Sequence, residues 1–117
     1  MLISEQAQHL LNDKLRIAKN MTQYLAIYNT KSGRELALER ERSEAIYVWL
    51  QKYNLSIEDV EVKNEKFPGQ PYGPKQSRNS NLNGKNTPKL KTGNRVYYLK
   101  ITSLQALEKV IDWYDEQ

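Results

Sequence analysis

Cysteine is absent from the 117-residue chain, histidine occurs once, at His9, and no apolar run approaches the roughly 20 residues that cross a membrane. The first absence removes disulfides and thiolate metal sites. The second removes histidine metal clusters and a histidine–aspartate relay. The opening Met1-Leu2-Ile3-Ser4-Glu5 lacks the basic-then-apolar pattern of a signal peptide. These absences lead to the expectation of a soluble, cytoplasmic protein of bacterial, phage or organellar type, without a cofactor and without a membrane partner.

Acids are missing from one long stretch. Between Lys66 and Lys100 stand eight cations, Lys66, Lys75, Arg78, Lys85, Lys89, Lys91, Arg95 and Lys100, and no Asp or Glu. Of the 18 basic residues, 10 remain elsewhere, against all 14 acids. Charge segregated in this way produces a stronger local field than charge that is mixed. Apolar residues make up 38% of the chain, a lean supply for a core, so the eight Tyr and two Trp must provide much of the buried bulk.

Hydrophobic spacing predicts a long amphipathic helix over residues 4–28, with Ser4 as N-cap and Leu10, Leu11, Leu15, Ala18, Met21, Leu25 and Tyr28 on its apolar side. Residues 29–33 form a turn. A second helix is expected over 34–53, solvated through its charged half, Arg34 to Glu44, and buried from Ala45 to Tyr53. Ser56-Ile57-Glu58-Asp59 resembles a capping box that opens a short helical turn. Residues 60–63 alternate and read as a strand, and residues 95–101 read as the best strand in the chain. Between them, residues 67–94 hold all four prolines, four of the five glycines and five Asn after position 78, and read as a long basic loop. Thr102 or Ser103 caps a last helix that runs to Trp113 or Tyr114. The expected fold class is α+β in the order α-α-β-β-α, one domain over 1–117. Two strands make a marginal sheet, so either helices cover one face or a second copy extends it as a homodimer.

The basic segment is the main candidate site. Its cations suit phosphates, Tyr72 suits a base, and the interleaved Asn and Ser can donate to phosphates or read base edges. The expected partner is nucleic acid, DNA ahead of RNA, bound without catalysis. The alternative is a phage or mobile-element inhibitor that docks the same segment on an acidic or nucleic-acid-binding protein surface. A third reading, a metal-dependent nuclease, rests on Asp59, Glu61 and Lys63, which have the spacing of an E-x-K motif. His9 reads as a surface residue and Trp49 and Trp113 as core.

Residues 97–115 run Tyr-Tyr-Leu-Lys-Ile-Thr-Ser-Leu-Gln-Ala-Leu-Glu-Lys-Val-Ile-Asp-Trp-Tyr-Asp. This resembles the late strand and last helix of a LAGLIDADG homing endonuclease repeat, where a strand ending in a basic residue, Val/Ile, Thr/Ser and Ser leads into a helix with an aromatic-Asp ending. The resemblance implies helix, strand, basic loop, strand and helix from about residue 43 to 115, with strands that read the DNA major groove. Residues 25–33 match the family's signature only at Leu25, Ala26 and Gly33, and the metal-binding acid falls on Ser32. The resemblance therefore implies a derived, non-catalytic relative.

Overall fold

The computed structural model describes residues 2–17, 22, 24–40, 42–66, 89–90 and 95–117. In chain order these form α1 (Ile3–Lys14), β1 (Arg16–Ile17), β2 (Leu25–Asn29), β3 (Glu35–Glu39), β4 (Ile46–Leu50), β5 (Val60–Lys66), β6 (Val96–Ile101) and α2 (Leu104–Tyr114). All pairings are antiparallel, and the sheet order is β1-β2-β3-β4-β6-β5. Five strands of five to seven residues carry the sheet, and the two-residue β1 lies at one edge.

This overturns the expected α-α-β-β-α order. Residues 4–28 are a helix only as far as Lys14 and end as strand β2, and the expected helix over 34–53 is β3 and β4. The physical reason is burial on both sides. A strand covered on both faces shows a short continuous apolar run, and periodicity alone does not separate such a run from a buried helix. All five residues of β4 are buried, and so are all five of β3, including Glu35 and Glu39. The charged half expected in solvent therefore lies inside. Ile46, Tyr47, Val48 and Trp49 are β-branched or aromatic and suit a pleated surface. Gly33, at φ +90°, supplies the left-handed residue in the turn that joins β2 to β3. The expected helical turn at 56–59 is a non-helical turn in which Val60 N–H donates to the Ile57 carbonyl.

Cross-strand register sorts the side chains. Ala26, Leu38, Val48, Leu99 and Val62 form one row on the inner face, and Tyr28, Leu36, Leu50 and Tyr97 form the next. Both helices pack there, α1 through Ala7 and Leu11, α2 through Ala106, Leu107, Val110, Ile111 and Tyr114. Two tyrosines fasten the layers. Tyr28 donates to Asn12 Oδ1 at 2.7 Å, and Tyr114 donates to the Glu35 carbonyl at 2.6 Å while accepting from Gln51 N–H at 2.8 Å. Ser103 caps α2 by accepting from Ala106 N–H, one of the two expected caps. Ser4 does not cap α1; it is buried inside the helix and accepts from the Arg42 N–H at 3.1 Å.

The over-apolar stretch that suggested a homodimer is β4, paired on both sides by β3 and β6 and covered on both faces within one chain. That stretch has no remaining surface for a second copy. Among the described residues no helix is long and apolar enough to cross a membrane.

Candidate functional site

The strands that flank the basic segment lie side by side. β5 pairs with β6 from Val60↔Ile101 to Lys66↔Val96, with a register shift between Val62 and Asn64 that leaves Lys63 as the extra residue of a bulge. The segment leaves the sheet at its edge, after Lys66, and re-enters at Val96 beside β4.

Before re-entering, it touches the far half of the sheet. Leu90 is fully buried on the outer face, opposite the helices, in a cluster with Leu25, Ile27, Ala37, Trp49 and Val96. The cluster takes its residues from β2, β3, β4 and β6. Beside it, the Lys89 backbone N–H donates to Glu35 Oε1 at 3.2 Å, and the Lys89 ammonium donates to the Gly33 carbonyl. Lys89, expected to face a phosphate, thus spends its amide and one ammonium donor on the β2–β3 hairpin.

The rest of the outer face is wired by one carboxylate. Glu39, 8% exposed, accepts from the Trp49 indole N–H at 3.0 Å and from the Tyr98 hydroxyl at 2.9 Å. The Arg42 guanidinium lies 3.4 Å from Glu39 and 4.0 Å over the Tyr47 ring. Tyr98 stacks on Trp49 at 4.2 Å between centroids and on Tyr47 at 5.7 Å. Burial, and then the Glu39 carboxylate, push the Tyr98 phenol far above its usual value. This proton stays on oxygen and serves structure.

Other expected site residues are distributed as follows. Arg95 is exposed, with its guanidinium 5.6 Å from the Tyr97 ring, and Lys100 is half-buried opposite Tyr47 on one side and Glu61 on the other. Lys66 ends β5. Tyr72, Lys75, Arg78, Lys85 and Lys91 lie outside the described residues, as does the rest of the expected loop 67–94 except Lys89 and Leu90. Asp59 sits at φ +70° in the turn before β5 and Glu61 pairs with its own neighbour Lys63 at 3.2 Å on an exposed edge. A shallow cleft of about 260 Å³ brings Asp59, Glu61, Lys100 and Thr102 together. It holds two carboxylates and one ammonium, and the Glu61 carboxylate is already paired with Lys63. Among the described residues, no group of three metal-ligating side chains forms. His9 is exposed, Trp49 is buried, and Trp113 is half-buried against Tyr53.

A second cleft, of about 370 Å³, lies between the end of α1, the β2–β3 turn and the end of α2. Its two cations are engaged by acids of α2 and of the residues after it. Lys14 reaches Asp112 at 2.9 Å and Lys31 reaches Glu116 at 2.7 Å. A hydrogen bond to the partner carboxylate holds each ammonium above its ordinary value. The lysines here offset the unfavourable placing of acids at a helix C-terminus.

Residues 97–115, which carry the resemblance to LAGLIDADG repeats, are β6 from Tyr97 onward, the Ser103 cap and α2. The helix that the resemblance implies from residue 43 is replaced by β4, so the implied element order does not hold in this fold. Ser32, at the position of the family's metal-binding acid, is exposed in the β2–β3 turn with its Oγ 2.8 Å from the Thr30 hydroxyl. No family model, no curated protein and no solved structure matches the chain.

Proposed function

We propose that the chain is a small, non-catalytic nucleic-acid-binding protein that neutralises phosphates of DNA with the basic segment 66–100. One observation carries the reading. Eight cations without an intervening acid are tethered to a folded sheet at Lys66, at Lys89–Leu90 and at Val96. A partner would meet them at a defined place. The helices, on the face opposite Leu90, carry with the residues after α2 Glu5, Asp13, Glu108, Asp112, Asp115 and Glu116 against Lys14 and Lys109 alone. A polyanion is attracted to one side of such a molecule and repelled from the other.

The test is binding to a short mixed-sequence DNA duplex at several salt concentrations. Affinity should fall steeply with salt, with a log–log slope of about 0.9 for each phosphate neutralised. Changing Lys75, Arg78 and Lys85 together to Ala should weaken binding and flatten that slope. Undetectable binding, or an affinity indifferent to salt, overturns the reading. Tighter binding to RNA of the same sequence would replace DNA with RNA as the target.

A further inference from the structure

We infer that Lys89 and Leu90 form a clasp that positions the basic segment for its partner, a role separate from contacting phosphate; the inference rests on the nucleic-acid reading above. The segment joins adjacent antiparallel strands, so its ends need nothing more than the β5–β6 ladder to be closed. A third attachment on the far half of the sheet is therefore an added constraint. It consists of a fully buried Leu, a backbone N–H given to the carboxylate of Glu35, itself only 3% exposed, and an ammonium given to the Gly33 carbonyl. Glu35 is in turn fixed from two sides, its N–H donating to Gln51 Oε1 at 2.7 Å and its carbonyl accepting from Tyr114.

The clasp divides the segment into two tethered stretches. Residues 67–88 span from the β5 end to the clasp and hold Lys75, Arg78 and Lys85; residues 91–95 span from the clasp to β6 and hold Lys91 and Arg95. A fixed intermediate point limits where the cations on either side of it in sequence can lie, and positioning before binding favours affinity. The expected signature is an affinity set partly by a residue with no charge. Loss of the clasp should weaken binding while the number of neutralised phosphates, and hence the salt slope, stays the same.

The experiment compares the full chain with Leu90→Ala, Lys89→Ala and Lys85→Ala by hydrogen exchange and by binding to the DNA duplex. In Leu90→Ala the Lys89 amide should exchange faster, and affinity should fall about tenfold at unchanged salt slope. Lys89→Ala and Lys85→Ala each remove one charge, but Lys89→Ala should lose more affinity and should also speed exchange. It is a surface change, so it keeps the test open if Leu90→Ala fails to fold. Unchanged exchange in Lys89→Ala and in folded Leu90→Ala overturns the clasp, and so does faster exchange with unaltered affinity. If the unmodified chain does not bind DNA, the nucleic-acid reading fails, and the positioning role falls with it. The exchange data still decide whether the attachment exists.

Discussion

Over β2, β3 and β4 both faces of this sheet are buried, and they are built from different materials. The inner face is an apolar layer under two helices, with a few polar atoms, the hydroxyls of Tyr28 and Tyr114 and that of the buried Ser4 in α1. The outer face mixes Leu25, Ile27, Ala37 and Leu90 with two buried glutamates, an indole N–H, a phenol and an arginine. Apolar contacts are non-directional, so the inner face tolerates any side chains that fill its volume. Buried polar groups must be matched one to one, so the outer face specifies which atoms meet. The side that holds Lys89 and Leu90 is the side whose geometry is fixed by directional bonds.

Adjacent residues of β3 offer the sharpest way to break this comparison, because Leu38 faces the helices and Glu39 faces away. Leu38→Ala should cost about 2–5 kcal/mol, by removing apolar contact and leaving a cavity. Glu39→Ala should cost about 1–3 kcal/mol, because the Trp49 N–H and the Tyr98 hydroxyl lose their acceptor. Denaturant midpoints would measure both. A Glu39→Ala variant as stable as the parent would mean that the polar wiring of the outer face contributes nothing.

Alkaline titration probes both faces together. Burial raises Tyr28 from 10.0 to about 12 and raises Tyr114 and Tyr98 further in the same direction. The unfolded chain releases these protons first. Their contribution to stability is therefore complete below about pH 10; that of Tyr28 is lost as pH rises through about 12, and that of Tyr114 and Tyr98 goes on falling at higher pH. Unfolding midpoints followed upward from neutral pH should be level and then drop, and Tyr28→Phe should make the drop shallower. A midpoint that stays level through this range would contradict the burial of these phenols.

The smallest expected effect is a gain. Tyr53 is 7% exposed on the inner side, and among the described residues its hydroxyl has no hydrogen-bond partner. Tyr53→Phe should leave stability unchanged or raise it by up to about 1 kcal/mol, since the hydroxyl is desolvated without compensation. A clear loss in thermal unfolding would show that this oxygen is satisfied, and that the inner face is more polar than described above.

The C-terminal part of the fold was legible in the sequence because its local and tertiary signals agree. Val96–Ile101 is a short run rich in β-branched and aromatic residues, and Ser103 stands where a helix must be capped. Residues 25–50 misled because Glu35, Leu36, Ala37, Leu38 and Glu39 are good helix formers that the sheet overrides. The charged ends of that run also suggested solvent, whereas Glu35 and Glu39 are buried with partners from β4, β6 and the basic segment. Within the candidate site the cations were visible and the clasp was not. Its one signal is Leu90, an aliphatic residue standing between two lysines in a polar stretch, which charge counting passes over.

The sheet order β4-β6-β5 has a consequence for how the protein is made. β5 is synthesised before β6, yet among the described strands its neighbour is β6. An emerging chain can zip β2, β3 and β4 into a meander, but β5 and the cations that follow it wait for the last strand. The slot between β4 and β5 is filled only once residues 96–101 have left the ribosome. Until then a nascent chain presents an unpaired strand and a basic tail, and a message ending before residue 96 would yield that species permanently.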